Sequence, residues 1–167
     1  KIEAVCKSIE VPVIVKEVGW GISTDTAKRF IEIGVSAIDV AGAGGTSWSE
    51  VEKHRSKTEH QHKLAGLCRD WGIPTAEAVK DLRTAFPRVP IIASGGVTNG
   101  LEIAKAIALG ANLAGVARLF LIAANESTDA VLVKIGEIHT ELRVTMFAAG
   151  AATLGNLAGA QLRTRTL

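Results

Sequence analysis

Short apolar runs alternate with longer amphipathic segments along this chain. Residues 1–10 have the loose periodicity of a helix end (Ala4, Val5, Ile9). Val11-Pro12 then marks a turn, because proline fixes its own φ and pushes its neighbour toward extended backbone. Val13 to Val15 reads as a strand ending in Lys16-Glu17, and Val18 to Gly21 as a loop. Ser23 is a suitable N-cap for a helix from Thr24 to about Ile33, although Thr26 stands where a capping box would carry an acid, and Gly34 stops the helix. Residues 37–41 form a second buried strand. Thr75 is placed to cap a helix in which Ala76, Val79, Leu82, Arg83 and Phe86 recur with helical spacing up to Pro87. Ile91 to Ala93 is a third strand, followed by a helix from Asn99 or Gly100 through Leu109 with Gly110 as its stop. Leu113 to Ala117 is a fourth strand. From about Asp129 the stripe Val131, Ile135, Ile138, Leu142 and Met146 predicts a long helix, with Gly150 as its C-cap.

The pattern repeats internally. Val11-Pro12-Val13-Ile14-Val15-Lys16 resembles Val89-Pro90-Ile91-Ile92-Ala93-Ser94, and the segment 33–41 resembles 109–117 around Gly34 and Gly110. A strand–helix–strand unit therefore occurs twice. Parallel strands need such crossovers, and four of them in series fit an α/β fold that is half of a (β/α)8 TIM barrel. A complete barrel takes about 250 residues, so the 167 present leave half the wall to come from elsewhere. A doubly wound open sheet is the alternative, without the dinucleotide-binding glycine fingerprint. Residues 1–150 then make the half-barrel. Residues 151–167 are an Ala/Gly/Leu-rich tail with a basic end, frayed or packed on a partner.

Composition narrows the function. Apolar residues make up 47% of the chain with only 4% aromatics, which suits buried strands under small-faced helices. The 19 basic and 17 acidic side chains leave a net charge of +2, too balanced to point to nucleic acid. No stretch reaches 18 apolar residues and no signal peptide is visible. The two cysteines, Cys6 and Cys68, form neither a disulfide framework nor a metal-ligand spacing, so a reducing cytoplasm is the expected setting and no membrane is implied. Much of the polarity falls between Glu50 and Arg69, read as a partly mobile excursion followed by a short helix. His60 and His62 within it are either solvated imidazoles or part of a metal site lacking a third ligand.

Candidate chemistry lies at the strand ends, where α/β barrels and open sheets bind ligands. The loop Gly42-Ala43-Gly44-Gly45-Thr46-Ser47 offers close backbone approach and hydroxyls; it is either a tight turn or a ligand loop. Ser94-Gly95-Gly96 precedes a helix, and Ala117-Arg118 ends the next strand. N–H groups of the two loops can converge on one phosphate, helped by a helix N-terminus. Lys16 ends an apolar strand and is aimed at the barrel mouth, where a cation stabilises negative charge developing on a ligand ring; otherwise it is an exposed lysine at a strand end. Trp20 and Trp48 either wall a substrate or pack on neighbouring elements. Asp39, inside an apolar strand, reads as a hydrogen-bonded structural carboxylate.

Val15-Lys16-Glu17-Val18-Gly19, Ala41-Gly42-Ala43-Gly44-Gly45-Thr46-Ser47-Trp48, Gly72-Ile73-Pro74-Thr75, Ala93-Ser94-Gly95-Gly96-Val97 and Ala108-Leu109-Gly110-Ala111, in this order over about residues 10–150, resemble type 2 isopentenyl-diphosphate isomerases. The Gly-Gly-Thr-Ser-Trp block after Val-Lys-Glu is the specific part; Ser-Gly-Gly-Val occurs across many flavin and phosphate-binding barrels. The resemblance implies an FMN-dependent (β/α)8 enzyme that interconverts isopentenyl diphosphate and dimethylallyl diphosphate. It would use reduced FMN, Mg²⁺ and NADPH as the flavin's reductant, in a cytoplasmic homo-oligomer. It further implies that Lys16 is the catalytic cation near flavin N1 and O2, and that Thr46 and Ser47 contact the flavin or its phosphate tail. Gly95, Gly96, Ala117 and Arg118 would then cradle the phosphate. Reduced FMN would mediate an allylic proton transfer through N5, with no net redox change. The family's diphosphate-binding basic residues, catalytic glutamine and Mg²⁺-binding glutamate belong to an amino-terminal half not on this chain. The resemblance therefore makes this chain roughly barrel strands 5 to 8, with no metal ligand of its own. Three alternatives stand beside it, one of them a small-molecule phosphate-binding barrel without flavin. A 2-hydroxy-acid oxidase would carry a catalytic histidine where this chain has Ala43, and an arginine near Thr98. A non-catalytic half-barrel would have a structural role.

Overall fold

The computed structural model of the chain describes residues 1–163. It contains one parallel sheet in the order β1 (Ile14–Lys16), β2 (Ala37–Asp39), β3 (Ile91–Ala93), β4 (Leu113–Ala114), each strand beside its predecessor in sequence. Helix α1 (Ile2–Ser8) precedes β1 and α2 (Thr24–Glu32) returns the chain to β2. Helices α3 (Trp48–Arg55), α4 (Glu59–Leu67) and α5 (Thr75–Ala85) lead to β3, and α6 (Gly100–Ala108) leads to β4. Then follow α7 (Arg118–Glu126), α8 (Thr128–Ala148) and α9 (Leu154–Leu157). Four sequential parallel strands with helical crossovers make roughly half of a barrel of the (β/α)8 type.

The internal repeat is preserved in the pairing. Ile14 lies opposite Ala37 in β1–β2, and the repeat-equivalent Ile92 lies opposite Leu113 in β3–β4. The bonds entering each pair match as well, with Ser36 N donating to Val13 O and Asn112 N to Ile91 O, both at 2.8 Å. Gly34 and Gly110, which end α2 and α6, have φ of +98° and +114°. Ser23 caps α2 by accepting from Thr26 N, as the sequence predicts, and Asn99 caps α6 by accepting from Glu102 N.

The core lies between the strands and α2, α5 and α6. Ile38, Val40, Val79, Leu82 and Ile91 are its largest fully buried side chains, each contributing about 1.5–3 kcal/mol by leaving water. A smaller cluster joins Ala104 and Ile107 of α6 to Leu142 and Met146 of α8 and to Leu157 of α9. The tail predicted from residue 151 thus carries a short helix closed by a Thr153–Asn156 capping box and packed on its own chain; residues 164–167 lie outside the described residues. Both sheet edges present apolar side chains to solvent, Ile14 on β1 and Leu113 on β4. No described helix is long and apolar enough to cross a membrane.

Four sequence expectations are corrected. The strand predicted over 37–41 stops at Asp39, because Asp39 Oδ1 accepts from Ala41 N at 3.2 Å and Ala41 turns to φ +35°. The strand predicted over 113–117 stops at Ala114, and Arg118 opens α7, a helix the apolar run Leu119-Phe120-Leu121-Ile122 conceals because it lacks helical spacing. The excursion predicted ahead of a short helix between Glu50 and Arg69 is itself helical: α3 stands in its place and α4 is the short helix. Ser47 caps α3, Thr58 caps α4, and ion pairs one turn apart (Lys53–Glu50, Arg55–Glu52, Lys63–Glu59) support them. Thr75 does not cap α5; it is the first helical residue, after Pro74.

Helix α6 meets α8 at Gly100, where a Cβ would lie 2.6 Å from Glu141 Cβ and nearer still to Leu142 N. Gly100→Ala should therefore destabilise the fold by about 1–3 kcal/mol, read from the midpoint of urea unfolding.

Candidate active site

The polar groups of the site stand at the carboxyl ends of β1, β2 and β3. The register places Lys16 opposite Asp39 across the β1–β2 pair. Lys16 Nζ donates to Asp39 Oδ2 at 3.0 Å and to Ser94 Oγ at 2.8 Å, and Ser94 Oγ donates to Asp39 Oδ1 at 2.5 Å. Asp39 and Ser94 are buried, whereas the Lys16 side chain remains 56% exposed. A buried carboxylate needs such partners to remain charged. Asp39 is therefore the hydrogen-bonded carboxylate the sequence suggested, and its partner is Lys16.

Backbone contacts lock the loops above these strands together. Gly95 has φ +100°, and a Cβ there would lie 2.7 Å from Gly42 N. A Cβ at Gly45 would lie 2.8 Å from Gly96 N. The β2 and β3 loops thus pack main chain against main chain, so these glycines are required by protein packing in their own right. Thr75 Oγ1 contacts Gly95 O at 2.6 Å and Ser94 O at 3.1 Å, with one proton to share between them. Glu17 closes the loop after β1: its Oε2 accepts from Val18 N, Gly19 N and Trp20 N at 2.6–2.7 Å. Gly21 N donates to Ala41 O and Ile73 N to Trp20 O, tying that loop to its neighbours. The sequence reading missed Glu17 and Thr75 because their partners are main-chain atoms that no side-chain pattern marks.

Two helix N-termini follow β3 and β4, and they differ. That of α6 is already occupied: Asn99 accepts from Glu102 N, Glu141 Oε2 accepts from Gly100 N, and Glu102 Oε2 accepts from Thr98 N. Side chains of this protein thus take the N–H groups of Thr98, Gly100 and Glu102 at this helix end, which the start of α7 does not show. The N-terminus of α7 has no side-chain cap and no acid in its first turn, and begins with Arg118. Among the described residues, the N–H groups of Gly95, Gly96, Ala117 and Arg118 have no protein acceptor. A helix start with unsatisfied N–H donors and no acidic side chain carries the positive end of the helix dipole uncompensated.

The remaining candidates separate. Thr46 is exposed. The Ser47 hydroxyl is engaged in capping α3 and donates to Arg69 O at 3.1 Å, so it is not free for a ligand in this arrangement. Trp48 opens α3 half exposed, and the buried Trp20 Nε1 has no acceptor among the described residues. A groove of about 950 Å³ runs beside the β1 edge, lined by Val15, Lys16, Glu17, Trp20 and Trp71 among others. His62 Nδ1 lies 3.2 Å from Lys53 O. Among the described residues, no group of three or more His, Cys, Asp or Glu side chains could hold a metal ion.

A parallel half-barrel with an ammonium at its strand ends and unpaired main-chain N–H groups after β3 and β4 narrows the class, and comparison with known proteins gives it. The chain belongs to the FMN-dependent dehydrogenase family, whose model matches residues 1–164. Among curated proteins, it is 50% identical over 160 residues to an isopentenyl-diphosphate delta-isomerase of Vibrio parahaemolyticus, covering 96% of this chain and 47% of that protein. It is 47% identical over 163 residues to the isopentenyl-diphosphate delta-isomerase of Rickettsia bellii, covering 98% of this chain and 48% of that protein. The chain thus spans about half the length of the curated relatives it matches. Among solved structures, a mandelate oxidase variant with (S)-mandelic acid superposes with a TM-score of 0.76 at 22% identity, covering 99% of this chain and 43% of the other, a likeness of fold.

Thr75→Val keeps the shape of the side chain and removes the donor that faces Ser94 O and Gly95 O. It should cost about 1–3 kcal/mol, measured by thermal or urea unfolding; an unchanged midpoint would mean the hydroxyl does not hold the loop.

Proposed function

We propose that this chain is the carboxyl-terminal half, barrel strands 5 to 8, of an FMN-dependent type 2 isopentenyl-diphosphate isomerase. The observation that carries this reading is the Lys16 ammonium held against Asp39 and Ser94, at the head of the Gly95-Gly96 loop, in a chain about half identical to the named isomerases. FMN fits these residues. The unsatisfied N–H groups of Gly95, Gly96, Ala117 and Arg118 suit its phosphate, the exposed Lys16 suits an electron-rich ring edge, and Thr46 supplies an exposed hydroxyl. Ser47 contributes through its main chain, since its hydroxyl caps α3.

When bound and reduced, FMN would supply the allylic proton transfer that interconverts isopentenyl and dimethylallyl diphosphate, with no net redox change. The chain's own contribution is electrostatic and positional. Lys16 holds a positive charge where negative charge gathers, and the loop main chain anchors the phosphate. The rigid contacts of Glu17 and Thr75 keep these groups in place before any ligand arrives. The described residues offer no Mg²⁺ ligand set, and no step is assigned to that ion on this chain. Substrate diphosphate binding, the metal, assembly as a cytoplasmic homo-oligomer and reduction by NADPH complete the proposed enzyme together with an amino-terminal half-barrel.

A 2-hydroxy-acid oxidase reading is disfavoured by Ala43. Its methyl group cannot take a proton, and its backbone is bonded to Ile73 O and Thr75 N. The test is co-expression of this chain with the amino-terminal half of the Vibrio parahaemolyticus relative. The mixture, with reduced FMN and Mg²⁺, should convert isopentenyl to dimethylallyl diphosphate in a proton NMR assay. A flavin-loaded mixture that instead oxidises 2-hydroxy acids would overturn the reading. One that retains flavin and turns over neither substrate would favour the non-catalytic half-barrel.

A further inference from the structure

We propose that Asp39 is the positioning residue for Lys16, fixing where the ammonium stands and how much of its charge a bound ligand experiences. The inference rests on the flavin reading above and deepens it. Lysine carries its charge on a flexible four-carbon stem, and an ammonium whose side chain is half exposed would otherwise sample many positions. Three contacts prevent this. Lys16 Nζ donates to Asp39 and to Ser94, while Ser94 donates to Asp39, so each member of the ring is bonded to both others. Ala41 N fixes the carboxylate from below through Oδ1. The carboxylate is the fixed anchor of the exposed ammonium, because it is buried in the middle strand of the three and also bonded to Ala41 N.

Two of the three ammonium protons are taken by Asp39 and Ser94, which leaves one for a ligand. The same carboxylate partly offsets the charge it positions. A cation beside an anionic reduced ring favours reduction, and a neighbouring carboxylate opposes that effect. Position and charge can therefore be separated by two substitutions.

The experiment measures the two-electron midpoint potential of FMN bound to the wild type, Asp39→Asn, Asp39→Ala and Lys16→Met, with circular dichroism confirming the fold of each. Asp39→Asn removes the opposing charge and, with its amide oxygen in the place of Oδ2 and its NH2 toward Ser94 Oγ, keeps an acceptor for Lys16. Its potential should rise by about 30 mV, a tenfold gain in preference for the reduced form. Asp39→Ala releases the ammonium, and its potential should fall in the same direction as that of Lys16→Met. Potentials unchanged in both Asp39 variants, or raised in both, would overturn the proposal.

A second measurement needs no flavin. Acetic anhydride should label Lys16 several-fold faster in flavin-free Asp39→Ala than in the flavin-free wild type, read by peptide mass spectrometry. Equal rates would show that Asp39 does not hold Lys16. Wild-type protein that takes up no FMN would refute the flavin reading, while the labelling rates would still decide the role of Asp39.

Discussion

The approach of the β2 and β3 loops, main chain against main chain, is the contact on which the site depends. Gly45 on one loop and Gly95 and Gly96 on the other leave no room for a Cβ against the facing backbone, and Gly42 leaves none against Thr75. Close approach brings Ser94, at the end of β3, within hydrogen-bonding reach of Asp39 at the end of β2 and Lys16 at the end of β1. Thr75 fastens the same loop from α5. The glycines therefore serve two ends at once: they permit the packing that assembles the cation site, and they leave unsatisfied N–H groups beside the start of α7.

The repeat explains why a ligand site arises here. Each strand–helix–strand unit delivers its strand ends to one side of the sheet, because parallel strands need a crossover to return. Lys16 and Ser94 occupy equivalent positions in the two units and meet at the carboxylate of Asp39 between them. The sheet nonetheless ends in two unpaired edges, at β1 and β4, which expose Ile14 and Leu113. An open edge with apolar side chains calls for cover, and the relatives of this chain are about twice its length.

The alternation of apolar runs with amphipathic segments made the parallel half-barrel legible, and Gly34, Gly110, Ser23 and Asn99 marked helix boundaries by known local chemistry. Asp39 was legible as a bonded carboxylate because an acid inside an apolar strand must find partners. Its partners were not, since Lys16 is 23 residues away and Ser94 is 55. Helix α7 was concealed because its apolar residues are consecutive rather than spaced by turns. Helix α3 was concealed because charge density suggested solvated chain, while Ser47 as its cap carried the better signal; the short helix expected after it is α4. The capped end of α6 and the uncapped end of α7 could be told apart only once Glu141 of α8 was placed against Gly100.

The central claim is that the β3 loop and the start of α7 receive the phosphate of a flavin. Equilibrium dialysis of the purified chain against FMN and against riboflavin, which lacks the phosphate, tests it most directly. The account predicts that FMN binds at least about tenfold more tightly, the contribution of a single charge-assisted hydrogen bond. Equal affinity for the two, or no binding of FMN, would contradict it.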